Sequence, residues 1–117
     1  MRPYEGITLA NFQDWVQAGW TRPAGTQYDA LRELAVMSLG LPGEVGEVIE
    51  PIKKEIRGDG PLDRTKLMLE LGDVLHYLCR IASHYGLSMD GVMINNIEKI
   101  EARRGKRAWE TNANAQG

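Results

Sequence analysis

Four stretches of the chain repeat apolar residues at the three- and four-residue spacing of an amphipathic helix, in which one stripe of side chains is buried. The spacing predicts helices over residues 9–19, 64–85 and 89–104, and a longer one that begins near Tyr28 or Asp29 and ends before Gly58. No segment shows the strict alternation that is typical of a half-buried strand. The pattern therefore predicts an all-α fold, an antiparallel bundle of four to five helices.

The residues at the ends of these stretches support the predicted bounds. Thr8, Asp63 and Ser88 precede three of the helices, and each has a side-chain oxygen that can cap a helix N-terminus. Gly86 and Gly105 follow two of them, at the position where glycine commonly ends a helix. We therefore expect a single helical domain over residues 1–105, followed by a polar and flexible C-terminal tail over residues 106–117.

Proline and glycine interrupt the long second helix. Pro42 and Pro51 have no backbone N–H group to donate, so a kink or a break is expected there. Gly40, Gly43 and Gly46 each cost a helix about 1 kcal/mol relative to alanine. Either another backbone or a ligand approaches these glycines closely, or Gly40 and Gly43 simply mark a helix break around Pro42.

Composition narrows the classes of function. The 117 residues suffice for one domain, and 14 basic against 16 acidic residues give a net charge of −2. That balance provides no overall attraction to nucleic acid or to an anionic membrane. Cys79 is the single cysteine, so no internal disulfide can form, which favours a cytoplasmic location. The start of the chain lacks a signal-peptide apolar core, and no apolar run approaches the roughly 20 residues of a membrane span.

The most informative feature is two pairs of acidic residues, one on each of two predicted helices; we call each pair an acidic step. Glu44 and Glu47 form one step and Glu70 and Asp73 form the other, each with the three-residue spacing that places side chains on the same side of a helix. Like charges at this spacing repel each other, so the arrangement has a cost. Two such pairs provide the carboxylate oxygens that Mg²⁺ or Mn²⁺ prefers. Alternatively, both pairs lie on solvated helix faces, and periodicity alone does not separate these interpretations.

Basic residues in the sequence complement the acidic steps. A bound Mg²⁺ ion usually completes its shell with water and substrate phosphates, so this pattern indicates hydrolysis of a phosphoanhydride. One glutamate that is not used fully as a ligand could orient or deprotonate the attacking water. Asn96, Lys99 and Arg103 form a line on the fourth helix that is either an anion-contacting edge or a solvated basic face. The candidates for holding phosphate are Lys53, Lys54, Lys99, Arg103 and Arg104.

Three linked motifs, over residues 39–47, 70–75 and 96–103, resemble those of the MazG-type nucleoside triphosphate pyrophosphohydrolases, in the all-α NTP pyrophosphatase superfamily. The resemblance spans roughly residues 30–105 and keeps the order and spacing of the motifs. It implies Mg²⁺-dependent hydrolysis of a (deoxy)nucleoside triphosphate to the monophosphate and pyrophosphate, with a role in clearing unwanted nucleotides. It further implies a homodimer or a dimer of dimers with its site near the subunit interface.

The same resemblance assigns roles to individual residues. The implied metal ligands and catalytic residues are Glu44, Glu47, Glu70 and Asp73. The implied contacts to substrate or phosphate come from Lys53 or Lys54, Asn96, Lys99 and Arg103. Self-association is also expected from the residues themselves, because a bundle this short leaves apolar surface that its own stripes do not cover.

Two departures from the family pattern and three alternatives stand beside this interpretation. Gly43 occupies a position where some relatives carry an additional acid, which leaves the number of metal ions open, and Pro51 is not expected inside the first acidic helix.

A phosphoribosyl-ATP pyrophosphohydrolase would share the fold. A helical partner-binding module without enzymatic activity would leave the acids solvated. A di-iron bundle would need two Glu-x-x-His steps, and only Asp73-x-x-His76 is similar to one.

Overall fold

A computed structural model of the chain describes residues 2–20 and 30–116, and the side chains of 2–20 and 31–105. This part of the chain forms four α-helices and no strand, which confirms the predicted all-α class. The helices are α1 (Leu9–Gly19), α2 (Ala30–Arg57), α3 (Arg64–His84) and α4 (Met89–Gln116). The predicted start of the second helix, near Tyr28 or Asp29, lies outside the described residues.

The three predicted N-terminal caps are confirmed. The Thr8 hydroxyl accepts a hydrogen bond from the backbone N–H of Asn11 at 3.1 Å, and the Asp63 carboxylate accepts one from Lys66 at 3.0 Å. The Ser88 hydroxyl accepts one from the backbone N–H of Gly91, also at 3.0 Å. Each cap satisfies a donor that the first turn of a helix leaves unpaired. The starts of α1, α3 and α4 are therefore set by local sequence.

The long helix α2 runs without interruption through Pro42 and Pro51. Of the kink or break expected at the prolines, a break is therefore wrong, and a kink stays a prediction. A proline inside a helix costs roughly 3 kcal/mol, and the packing of α2 along α3 offsets that cost. The helix ends at Arg57, and the backbone of Gly58 follows with a φ of 91°, in the left-handed region that glycine adopts readily. A tight turn then leads into α3, so α2 and α3 form an antiparallel hairpin.

The predicted end of the fourth helix at Gly105 is also wrong, because helical backbone continues to Gln116. Gly105 is not among the described glycines with positive φ, so it does not provide a left-handed C-cap. The residues after it include lysine, arginine, alanine and glutamate, which favour helix. Flexibility of the tail over residues 106–117 stays a prediction.

A small core lies where α1, α3 and the start of α4 meet. Val16, Cys79, Ala82 and Met89 are buried there. The buried side chain of Gln13 connects the three helices. Its amide nitrogen donates to the Ser83 hydroxyl at 3.1 Å and to the Leu87 carbonyl at 2.9 Å, and its amide oxygen accepts from the backbone N–H of Met89 at 2.7 Å. Gln13 therefore fixes the point at which α4 leaves the body of the fold.

Much of the apolar surface of the described chain is not covered. Among the described residues, the buried hydrophobic ones are Val16, Met37, Cys79, Ala82 and Met89, which is a small core. Exposed apolar residues lie on every long helix, and Leu39 of α2, Met68 of α3 and Ile97 of α4 are 78%, 71% and 53% exposed. None of the helices, over the residues described, has the length and apolar character needed to cross a membrane.

Candidate metal centre

Three carboxylates from two helices lie close together on the α2–α3 hairpin. Glu44 is supplied by α2, and Glu70 and Asp73 are supplied by successive turns of α3. One carboxylate oxygen from each residue lies within 4.8 Å of the others. Glu44 and Glu70 are half-buried, whereas Asp73 is exposed. The antiparallel packing of the two helices brings together acids that are 26 and 29 positions apart in the sequence.

Glu47 occupies a different position from these three. It is exposed and does not belong to the group whose oxygens converge. Three residues along a helix correspond to about 300° of rotation, so the Glu47 side chain is offset by about 60° from that of Glu44. The charge of Glu47 nevertheless acts on Glu44. The structure thus gathers three of the four predicted ligands, and a metal-ligand role for Glu47 stays a prediction.

The electrostatics of the centre are those of crowded negative charge. Desolvation raises the pKa of the Glu44 carboxyl above its ordinary value, and the charges of Asp73, Glu70 and Glu47 raise it further, in that order. Every charged residue that acts on Glu44 in this way is acidic. A group with such neighbours is stabilised by a bound cation. The direction of this pKa shift therefore agrees with a cation site.

The donor set also fits a hard divalent ion. Mg²⁺ binds oxygen at about 2.0–2.1 Å, so two of its ligand oxygens lie at most about 4.2 Å apart. The spacing of up to 4.8 Å between the oxygens of Glu44, Glu70 and Asp73 is within a small side-chain rotation of that limit. Three carboxylates leave further positions for water and phosphate oxygens. These residues would hold Mg²⁺ or Mn²⁺, and they lack the nitrogen and sulfur donors that favour zinc.

Aromatic side chains continue the same side of α3 beyond the carboxylates. Tyr77, one turn after Asp73, packs against Gly40, where an added Cβ atom would lie 2.6 Å from the ring. The group that approaches Gly40 closely is thus an aromatic side chain of α3, and not the backbone or ligand that the sequence predicted. Gly43 and Gly46, in contrast, have open space beside them in the described chain. Tyr77 was not among the predicted site residues, although its spacing of four residues from Asp73 places it on that side.

A cavity of about 250 Å³ lies between α1 and α3, beside His76, which precedes Tyr77 in the sequence. The ring of His76 lies 6.3 Å from that of Trp15, edge to face. The guanidinium carbon of Arg80 lies 3.4 Å from the centre of the Trp20 ring, as a cation–π pair. Burial lowers the pKa of His76 and the charge of Arg80 lowers it further, whereas Asp73 acts in the opposite direction. The residues that line the cavity are Trp15, Val16, Gly19, Trp20 and His76.

The predicted phosphate-binding residues are not gathered at the carboxylates. Lys53 and Lys54 both pair with Glu50, at 3.3 and 3.9 Å, on the exposed surface of α2. Asn96, Lys99 and Arg103 are exposed on α4, whose packing within the described chain is against α1. Arg104, also considered, lies 3.3 Å from Glu101. Their roles in binding substrate stay predictions.

Comparisons with known proteins identify the family of the chain. The family described as "MazG nucleotide pyrophosphohydrolase domain" matches residues 32–108, which is more than half of the chain and includes all the predicted ligands. The Gene 37 protein of Mycobacterium phage L5 is 31% identical over 86 residues, which cover 70% of this chain and 75% of that protein. No solved structure gives a significant match. The chain belongs to the MazG nucleotide pyrophosphohydrolase domain family.

Proposed function

We propose that this protein is a Mg²⁺-dependent pyrophosphohydrolase that converts a nucleoside or deoxynucleoside triphosphate to the monophosphate and pyrophosphate. The observation that supports it most strongly is the convergence of Glu44, Glu70 and Asp73, whose oxygens lie within 4.8 Å of one another in a chain of this family. An acidic surface without this function would gain nothing from such crowding, because the charges repel. Mn²⁺ would replace Mg²⁺ at the same oxygen ligands.

The reaction adds water across the anhydride that joins the α and β phosphorus atoms. The oxygen of water forms a bond to one phosphorus, the bridging P–O bond breaks, and the products are a nucleoside monophosphate and pyrophosphate. When bound, Mg²⁺ polarises phosphoryl oxygens and lowers the pKa of coordinated water. Glu44, Glu70 and Asp73 would hold the ion in place and balance its positive charge. Glu47, which lies outside this group, accepts the proton of the attacking water or orients it.

Basic side chains bind the phosphate groups in this proposal. A nucleoside triphosphate carries about four negative charges, and cations aimed at the departing pyrophosphate stabilise the charge that develops there. Lys99 and Arg103 on α4 are the principal candidates, with Asn96 as a further hydrogen-bonding partner. Lys53 and Lys54 would first have to exchange their pairing with Glu50.

The assembly in this proposal is a homo-oligomer, built from symmetric dimers. Exposed apolar residues on α2, α3 and α4 support it, because surfaces of this kind are rarely left bare on a monomer. A cytoplasmic location belongs to the same proposal, and the free buried thiol of Cys79 is compatible with it. The role we propose is removal of unwanted nucleotides from the pool.

The direct test is turnover of a panel of canonical and modified nucleoside triphosphates with Mg²⁺, followed by phosphorus NMR of the products. The expected result is equal amounts of monophosphate and pyrophosphate from at least one substrate, with no activity in the presence of EDTA. Release of orthophosphate would contradict the proposed reaction. Turnover of phosphoribosyl-ATP alone would favour the alternative enzyme, and no turnover at all would favour a binding module.

A further inference from the structure

Gly40 lies one turn before Glu44 on α2, and the phenol end of Tyr77 lies directly against it. An added Cβ atom at Gly40 would lie 2.6 Å from Cε1, 2.9 Å from Cζ and 3.0 Å from the hydroxyl oxygen of Tyr77. Carbon atoms that are not bonded to each other attract best at about 3.5–4.0 Å, so the first two distances are too short for contact. Tyr77 therefore occupies the space that a side chain at position 40 would need.

The two other glycines in this part of α2 have no such neighbour. An added Cβ atom at Gly43 or at Gly46 meets nothing within 4 Å among the described residues. Glycine costs a helix about 1 kcal/mol relative to alanine, and at these two positions no contact of the described chain accounts for that cost. At Gly40, in contrast, only a residue without a Cβ atom admits Tyr77 at its observed position.

The contact has the same relation to the acids on both helices. Gly40 lies four residues before Glu44 on α2, and Tyr77 lies four residues after Asp73 on α3. Residues four apart lie on the same side of a helix, about 6 Å from each other along its axis. Because α2 and α3 pack against each other in opposite directions, the Gly40–Tyr77 contact and the carboxylate centre are neighbouring layers of one helix interface.

The surroundings of Tyr77 limit how far its ring can move away from α2. The residue is half-buried, and the His76 ring lies 6.4 Å from the Tyr77 ring at an angle of 62°. On the next turn, the guanidinium carbon of the buried Arg80 lies 5.8 Å from the centre of the Tyr77 ring. Of the three staggered χ1 rotamers, one runs into the preceding turn of a helix. We therefore expect a methyl group at position 40 to push the two helices apart.

The carboxylate centre tolerates little separation of α2 from α3. The oxygens of Glu44, Glu70 and Asp73 lie within 4.8 Å of one another, whereas two oxygens bound to one Mg²⁺ ion lie at most about 4.2 Å apart. Glu70 and Asp73 both belong to α3, so Glu44 is the ligand that a movement between the helices displaces. Restoring an ordinary carbon–carbon distance at position 40 needs a displacement of about 1 Å, which carries Glu44 away from a shared ion.

We propose that Gly40 is a positioning residue of the metal centre. It admits the Tyr77 ring between the helices, and the depth of this contact sets how far Glu44 lies from the two carboxylates of α3. Gly40 has no side chain with which to bind an ion or a substrate, so it acts through Tyr77 and the separation of α2 from α3. This inference rests on the proposed function for the presence of the metal ion, and on the contact itself for the positioning.

Mn²⁺ binding, measured by electron paramagnetic resonance without a nucleotide, tests the positioning. Gly40→Ala is expected to lower the affinity for Mn²⁺ by about tenfold or more, the effect that is typical of residues that orient metal ligands. Gly46→Ala, the matched control on the same helix, should bind Mn²⁺ like the wild-type protein, because its Cβ atom has open space beside it. Circular dichroism should show full helix content in both variants. Wild-type affinity in Gly40→Ala, or an equal loss in Gly46→Ala, would overturn the proposal.

Second substitutions at Tyr77 separate this contact from a general loss of packing. Leucine lacks Cε1, Cζ and the hydroxyl oxygen, which are the atoms that the added Cβ atom would meet, so Tyr77→Leu should restore most of the affinity lost in Gly40→Ala. Phenylalanine lacks only the hydroxyl oxygen, so Tyr77→Phe should restore little. If Gly40→Ala alone does not fold, these two double variants still test the contact. Equal affinities in both double variants would overturn the role of Tyr77.

Failure of this inference can be distinguished from failure of the proposed function. Because Gly40→Ala keeps every carboxylate, turnover that is lost at low Mg²⁺ concentration should return at high concentration, and Glu70→Gln should recover much less. If the wild-type protein binds no Mn²⁺ and hydrolyses no nucleotide, the proposed function is wrong and the inference is overturned with it. If the wild-type protein binds Mn²⁺ and Gly40→Ala binds it equally, the function stands and the positioning by Gly40 is wrong.

Discussion

The α2–α3 hairpin and the helix α4 both contain predicted functional residues but differ in how the chain supports them. The hairpin packs along most of its length, and its turn is set by Gly58 and by the Asp63 cap. Three of its carboxylates have oxygens that lie within 4.8 Å of one another. The helix α4 packs against α1, and the predicted phosphate-binding residues along it are exposed.

This difference separates residues that helix packing holds close together from residues that it leaves exposed. Repulsion among carboxylates is tolerated in the hairpin because helix packing holds them and a cation can compensate for it. The basic line on α4 is exposed, and its role in binding phosphate stays a prediction. Variants that affect one region and spare the other can therefore test the distinction.

The largest effect is expected from the carboxylates themselves. Glu70→Gln or Asp73→Asn removes a negative ligand without changing the shape of the side chain. Because a metal ion supplies several kcal/mol of transition-state stabilisation, turnover should fall by about a hundredfold or more. Steady-state kinetics with pyrophosphate detection measures this loss, and circular dichroism should show unchanged helix content. Glu55→Gln, on the exposed surface of α2, is the control and should keep its activity.

Glu47→Gln sharpens the distinction between ligand and base. Since Glu47 lies outside the three converging acids, the variant should retain metal binding but lose turnover. Loss of metal binding equal to that of Glu70→Gln would show instead that Glu47 is a ligand. Unfolding of either variant would show that these acids are structural.

A smaller effect, on stability, is expected at the anchor of α4. Gln13→Ala removes three hydrogen bonds from a buried site and leaves the Met89 N–H group without its acceptor. The free energy of unfolding should fall by about 2–3 kcal/mol. Urea unfolding at one fixed protein concentration measures it. Gln17→Ala, one turn later and exposed, should change stability by less than about 0.5 kcal/mol. Equal losses in both variants would contradict the role of Gln13 as the anchor.

Bound Mg²⁺ should stabilise the fold by somewhat less than the loss expected in Gln13→Ala. At ten times the dissociation constant, Mg²⁺ adds about 1.4 kcal/mol to the free energy of unfolding. Because the pKa of Glu44 is raised in the fold, the apo protein gains stability from this group as the pH falls through the range between the ordinary and the raised pKa. Protons then compete with Mg²⁺, so the Mg²⁺-induced rise in melting temperature should decrease with falling pH. A rise that is independent of pH would contradict binding at Glu44.

The smallest effect is expected in the distal part of α4. An added Cβ atom at Gly105 meets no described neighbour, so Gly105→Ala should increase stability by up to about 1 kcal/mol through helix propensity alone. Gly58→Ala is the matched contrast, because the φ of 91° there should make alanine unfavourable by about 1 kcal/mol. Thermal unfolding of both variants at one concentration gives the comparison. A loss of stability in Gly105→Ala would contradict a helix that continues through this position.

Local signals in the sequence predicted the starts of three helices correctly, because a cap is a contact between residues three positions apart. They did not predict that α2 continues through Pro42 or that α4 continues past Gly105, for a physical reason. The cost of a proline within α2 is offset by α3, which is distant in sequence, and a glycine ends a helix only when its backbone turns left-handed. At Pro42, packing against α3 therefore outweighed the low helix preference of proline. At Gly105, the helix-favouring residues that follow outweighed the low helix preference of one glycine.

The site shows the same limit. The acids could be identified from spacing, and the helix hairpin brings three of them together as expected. That Glu47 lies apart from this group depends on how far each helix is rotated, which periodicity does not determine. The contacts of Tyr77 with Gly40 and of Trp20 with Arg80 join distant segments, so no local pattern indicated them.

The most direct measurement is Mn²⁺ binding followed by electron paramagnetic resonance, with the wild-type protein and the variants Glu70→Gln and Glu98→Gln. Mn²⁺ reports on the oxygen ligands without any assumption about the nucleotide. The expected result is binding by the wild-type protein and by Glu98→Gln, which lies on α4, and a large loss in Glu70→Gln. Equal binding by all three proteins, or by none of them, would contradict a metal centre at Glu44, Glu70 and Asp73.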